Sequence, residues 1–223
     1  MIKFIFKWLF RLVLAALALA AVAVIVFLLT YNSLLRLLIE RNLRAETGLD
    51  AEIGRFHLAL TEPTVEIQNL KIYNSKDFGG TLFLDIPEIH IEYDPAALAR
   101  HQLHLTLLRF NLGELDIVKN EAGRTNLFLP GLRRPARTAP GTGLAAFQKQ
   151  TGLNFTGIDV LNVSVGKMKF VDLKNPRQDR AVNLGLENCV IKNVRTAADL
   201  TGLAVLVALR GGGFFGSLIN TNL

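Results

Sequence analysis

An unbroken apolar run, Leu12 to Leu29, limits what this chain can fold into more than any other feature. Its eighteen residues carry no charge and no polar side chain. Lys3, Lys7 and Arg11 precede it, and Tyr31-Asn32-Ser33 follow. At about 1.5 Å per residue such a helix reaches roughly 27 Å, close to the hydrocarbon thickness of a bilayer. The run predicts a transmembrane anchor over 12–30, preceded by a basic tail over 1–11. Three cations and no acid before the run place that tail in the cytoplasm and the rest of the chain across the membrane. Trp8 and Tyr31 fall where interfacial aromatics belong. The rival is a cleaved signal peptide, which needs a shorter apolar core followed by a small-residue site. Here Ala18-Leu19-Ala20 lies inside the run, and Thr30 to Leu34 provides no such site.

The formal charge of +6 invites a nucleic-acid reading, but its distribution argues against one. Residues 31–128 carry ten cations against fourteen anions, and the basic excess is scattered over the two ends and the segment 129–143. A nucleic-acid footprint needs a concentrated basic face. The single cysteine, Cys189, excludes an intramolecular disulfide and reads as a small packing residue in Asn188-Cys189-Val190-Ile191.

After the anchor, Ser33 to Glu46 has helical spacing, with Ser33 as cap and Leu34, Leu35, Leu37, Leu38, Ile39 and Leu43 as an apolar stripe. The period then becomes two. Phe56, Leu58 and Leu60 alternate with polar neighbours, and so do Val65 and Ile67 before the phase slips to Leu70 and Ile72. Leu82 to Tyr93 alternates around Pro87, which predicts a break or a sheet edge. Leu103, Leu105 and Leu107 give way to Leu108, Phe110 and Leu112 after another slip. Such alternation predicts antiparallel strands with one apolar face, and slips predict bulges. Asp94 to Arg100 reads as a short helical crossover capped by Asp94.

Residues 129–143, rich in proline, glycine and arginine, read as a mobile linker. A second β segment with a C-terminal helix fills 144–223. It comprises a short helix at Leu144–Gln150, strands on either side of a turn at Gly166, separate strands at Val182–Leu186 and Val190–Val194, and a helix at Leu200–Leu209 capped by Asp199. The fold class is thus mainly β with α: a transmembrane helix followed by a curved antiparallel sheet, or groove, with short crossover helices.

No catalytic constellation is legible. His101 and His104 have helical spacing but lie where a helix passes into a strand, with no acid or thiol beside them. Phosphate-loop, nucleophile-elbow and zincin motifs are absent from the sequence. The expectation is a non-enzyme with no cofactor and no metal.

The order of features carries a resemblance. The span leads into a leucine-rich helix ending in Thr47-Gly48, then Ile53-Gly54-Arg55-Phe56-His57-Leu58, then Pro63-Thr64-Val65-Glu66-Ile67-Gln68-Asn69-Leu70-Lys71-Ile72. Asn74 and Asp77-Phe78-Gly79-Gly80 precede a strand that leads to the Asp94–Ala99 crossover. A last strand ends in Glu121-Ala122-Gly123-Arg124-Thr125-Asn126-Leu127. Over residues 1–128 this resembles the N-terminal region of the AsmA-like family of Gram-negative bacteria. The resemblance implies an inner-membrane anchor, a periplasmic domain, and a sheet curled into an apolar groove. The larger relatives conduct phospholipid between membranes or support outer-membrane assembly, and this chain is far shorter.

Two functions follow. One is lipid binding or transfer in a groove, with Phe56, Leu58, Leu60, Val65, Ile67, Leu103, Leu105 and Leu107 facing inward to touch acyl chains. The other is a structural adaptor in an envelope complex, with a filled core and no lipid. The partners expected are the membrane, phospholipid, other envelope proteins and self-association through sheet edges, with no nucleic acid.

Overall fold

A computed structural model describes residues 30–45, 47–59, 62–126, 148–149 and 151–211. All but Thr30 of the anchor expected over 12–30, the linker expected over 129–143, Leu60 and the residues after Gly211 lie outside these residues. Among the described residues no helix is long and apolar enough to cross a membrane.

Helix α1 occupies residues 30–45, with residue 47 also helical. Six strands follow: β1 (Asp50–Leu58), β2 (Thr64–Tyr73), β3 (Leu82–Tyr93), β4 (Gln102–Lys119), β5 (Asn154–Asp172) and β6 (Arg180–Val194). Helix α2 (Pro95–Ala99) links β3 to β4, and α3 (Thr201–Gly211) follows β6. The strands form one open sheet in sequence order. All neighbours are antiparallel except β4 and β5, which run parallel from Gln102↔Asn154 to Lys119↔Asp172. This corrects the all-antiparallel expectation. It also means that the strands of the second segment extend the sheet begun by the first.

Local chemistry accounts for the connections. Asp94 caps α2, accepting from Ala96 N at 2.8 Å, with Pro95 in the first turn. Ser33 is not a cap, because α1 is already helical at residue 30. Asp199 does not open α3 directly. Its carboxylate accepts from Arg195 N and Thr196 N, closing a capping box around the 3-10 turn Ala197–Leu200 from which α3 continues.

One line of irregular residues crosses all six strands. Gly54 and Asn69 lie between the pairs Ile53↔Leu70 and Arg55↔Gln68. Pro87 lies between Gln68↔Glu88 and Leu70↔Ile86. Gly113 and Gly166 lie between Leu112↔Val165 and Glu114↔Lys167. Gly185 closes the line beside Leu186, the partner of Val165. Asn69 has φ 54° and Gly185 φ 52°. Along this crease the apolar face changes phase: Ile53 to Phe56, Ile67 to Leu70, Ile86 to Ile89, Leu112 to Leu115, Val165 to Met168. In β6 the change comes at Asn188, φ 50°, whose N–H donates to Ser164 Oγ.

Three expectations are corrected by this crease. Pro87 neither breaks β3 nor makes it an edge; it sits where the ladder is already interrupted. Gly166 is no turn: β5 runs straight through it, and a Cβ there would lie 2.5 Å from Gly113 O. The stretches Val182–Leu186 and Val190–Val194 are one strand.

Two apolar clusters lie on the same face. One gathers Ala51, Ile53, Leu70 and Ile86 under Ile39 and Leu43 of α1. The other runs along β4, β5 and β6 under Leu200 of the 3-10 turn Ala197–Leu200 and under Leu203 and Val207 of α3. Phe110 and Leu112 touch both.

Candidate functional site

Strand register assembles the apolar face into rows. Phe56, Ile67, Ile89, Phe110, Val163 and Cys189 pair in succession across all six strands. Leu58, Val65, Ile91, Leu108, Leu161 and Ile191 form the next row. Beyond the crease, Ala51, Ile72, Leu84, Leu115, Met168 and Val182 form a third. Eighteen side chains in three unbroken rows make a continuous apolar floor. On this face of β1 to β3 the enclosed residues are Ile53, 3% exposed, Ala51 and Ile86, 6%, and Leu70, 7%. Phe56, Ile67, Leu84 and Ile89 are only half-buried.

The expected lipid-contacting residues distribute as follows. Phe56, Leu58, Val65 and Ile67 stand in the first two rows. Leu103 and Leu105 lie toward the start of β4, where Leu105 faces Tyr93 and Ile158 and is buried. Leu107 is a correction. It pairs with Glu92 and Val160, directly beside Leu108 of the second row, so alternation puts it on the opposite face. The cause is a bulge: Tyr93 faces Leu105 but Glu92 faces Leu107, so Thr106 is an extra residue. Leu60 lies outside the described residues. Ile89, Ile91, Leu108, Phe110, Leu161, Val163 and Ile191 were not anticipated as floor residues. Each had the right alternation, but only the register shows that they continue the rows of Phe56 and Leu58.

The other face carries the polar chemistry. His104 and His101 do not meet a common ligand. His101 sits in a turn at φ 59°, while His104 Nδ1 is 3.2 Å from Thr156 Oγ1 and its Nε2 is 3.1 Å from Asp159 Oδ2. Thr156 Oγ1 donates to Leu103 O, so toward His104 it serves as acceptor, and the trio ties the parallel β4–β5 seam. Glu66, Glu88 and His90 place three ligand-type atoms within 4.8 Å of one another. The group is already engaged: Arg109 donates to Glu88 at 3.0 Å, Gln68 to Glu66 at 2.6 Å, and His90 Nε2 is 3.2 Å from Glu92.

Below the crease, Glu114 pairs with Lys167 at 2.6 Å and with Lys169. Burial works to raise the Glu114 pKa, but the two ammonium groups outweigh it and hold the carboxyl at about 2. Asp116 beside it is buried, and one of its oxygens has no hydrogen-bond partner. Burial first, then a hydrogen bond with Glu114 and after it that group's charge, push Asp116 up to about 6.

No family model, curated protein or solved structure matches the chain.

Proposed function

We propose that this protein is a membrane-anchored groove that holds or passes lipid on the periplasmic side of an inner membrane. The observation that carries this reading is the floor of three apolar rows crossing every strand, with α1 packed against its β1–β3 cluster and α3 against its β4–β6 cluster. An ordinary half-buried sheet also has an apolar face. Here that face changes phase along one line of interrupted pairing that crosses the sheet, a pattern that would let the sheet curl into a trough. The AsmA-like order of features agrees with it. Six strands at about 4.8 Å spacing span roughly 24 Å, so the groove suits holding lipid or handing it to a partner, not crossing a periplasm alone.

The test uses the full chain in native membranes with a photo-crosslinking residue at Ile89 and, separately, at Glu88, its neighbour on the opposite face. A lipid adduct at Ile89 and none at Glu88 supports the groove. A folded protein with no adduct at Ile89 removes it and leaves the adaptor reading.

A further inference from the structure

We infer that the outer face of α1, built by Leu34, Leu37, Leu38 and Arg41, seats in the phospholipid headgroup layer and fixes the β1 end of the groove against the bilayer. This rests on the membrane-anchored reading above. The opposite side of α1 is committed to the edge of β1. Tyr31 Oη donates to Leu58 O, and Leu58 N donates to Asn32 Oδ1 at 3.0 Å. Arg36 donates to Ile53 O and Gly54 O, and Ile53 N donates to Glu40 Oε1 at 2.8 Å. Positions 32, 36 and 40 define the docked side, so 34, 37, 38 and 41 must point away from it.

That outward side is apolar where a water-facing helix would be charged. Leu34 is 59%, Leu37 55% and Leu38 57% exposed. Arg41 stands in the same stripe one turn on. Arg36 reaches Glu40 and Arg44 reaches Asp50, whereas Arg41 has no ion-pair partner among the described residues. Three leucines around one uncommitted guanidinium is the pattern of an interfacial helix, its stem in the acyl boundary and its charge at a phosphate. The described part of this helix starts at residue 30, next in sequence to the charge-free run ending at Leu29. Leu34 to Arg41 therefore lies about 8–18 Å of helix beyond that run at 1.5 Å per residue. An upright helix would carry its far end past a headgroup layer about 5–8 Å deep, so α1 must lean, leucine side down. Because its other side is bonded to β1, the lean sets the attitude of the whole sheet.

The experiment reads the depth of spin labels on the full chain. In a Cys189→Ser background, Leu34→Cys, Leu37→Cys, Leu38→Cys, Arg41→Cys and, as an aqueous reference, Lys76→Cys are labelled one at a time. Each is reconstituted in phosphatidylcholine–phosphatidylglycerol vesicles, and collision with oxygen and with a water-soluble nickel chelate is measured. The expected result is an oxygen-to-nickel ratio several-fold above that of the Lys76 site at 34, 37 and 38, with Arg41 between. A ratio equal to that of Lys76 overturns the inference. So does shielding from both reagents, which would mean that protein covers the face. Crosslinking at Ile89 is independent of these labels: a lipid adduct there with water-exposed leucines sinks this inference alone, whereas loss of the adduct with headgroup-depth labels sinks only the groove.

Discussion

The side-chain amide of Asn126 donates to Oδ1 of Asn74 at 2.8 Å, joining two turns 52 residues apart. Asn126 has no solvent exposure. It also donates to Asp116 O and accepts from Val118 N, so it laces β4 to the loop that precedes β3. Asn74 in turn donates to Leu82 O. Asn74 follows β2 and Asn126 follows β4, so their contact ties together the turns at the ends of these two strands. Asn126→Ala orphans a buried N–H and two buried oxygens, so a loss of about 2–4 kcal/mol in chemical denaturation is expected. A loss under about 0.5 kcal/mol, the usual scale of a neutral surface change, would show that the network is ornamental.

The crease makes its own prediction. Gly166→Ala places a Cβ 2.5 Å from the Gly113 carbonyl, a backbone atom that cannot step aside. The expected cost is about 2 kcal/mol or more, from overpacking at a close approach. Gly202 in α3 has nothing near its Cβ position. Gly202→Ala should therefore stabilise by a few tenths to about 1 kcal/mol through helix propensity. Equal effects of the two substitutions would mean that the crease imposes no steric constraint.

Much of this was legible in the chain. Alternation placed the strands, Asp94-Pro95 placed α2, and the slip between Ile67 and Leu70 marked the crease in β2. What stayed hidden was the meeting of such marks in one line, because Gly54 sits unmarked in an alternating run while Pro87 and Gly166 each have a sufficient local explanation as break or turn. Register alone distinguishes a row of interruptions from six unrelated ones. The parallel β4–β5 pair was hidden for a different reason: alternation looks the same in either direction. The cue was the connection, since residues 120–153 are long enough for a parallel crossover and far longer than a hairpin needs. The capping box was readable in Thr196-Ala197-Ala198-Asp199 but lay one turn ahead of the helix it serves. Leu107 was misplaced because a bulge shifts phase without changing residue type.

The Asp116 carboxyl predicts a pH dependence of stability. Its pKa is raised to about 6 in the fold, so the native state holds a proton that the unfolded chain gives up near pH 4. That contribution is complete below pH 4 and is lost as pH rises through 6. Glu114, held at about 2, works the other way and loses its contribution only as pH falls toward 2. Between pH 4.5 and 7.5 Asp116 dominates the slope of this pair. Asp116→Asn keeps the shape and removes the titration. Relative to the native chain, the variant should gain at most about 2 kcal/mol over that interval, the unit and a half between pH 4.5 and 6 at 1.36 kcal/mol per unit. Denaturation curves that stay parallel at the two pH values would mean that Asp116 is ionised in the fold throughout.

The two outer strands are guarded differently, and β1 gives the sharper test. An exposed strand edge is a template for another chain. In β6 the edge is interrupted by Gly185, Asn188 and Asn193, all at positive φ, and Arg210 donates to Leu184 O and Gly185 O. In β1 the guard is α1, and Glu40 is its central bond, accepting from Ile53 N at 2.8 Å. Glu40→Ala leaves that amide bare at the edge and should cost about 1–2 kcal/mol, the scale of a charge-assisted hydrogen bond. Glu40→Gln retains a carbonyl oxygen for the same N–H and should recover most of it. Arg44→Ala removes the Arg44–Asp50 pair, whose side chains are both about two-thirds exposed, and should cost under about 1 kcal/mol. If α1 guards the edge, Glu40→Ala will also self-associate with rising concentration in sedimentation, and Arg44→Ala will not. Monomeric behaviour of Glu40→Ala with full loss of stability would mean that α1 supports the apolar cluster beneath it but is not needed to shield the strand.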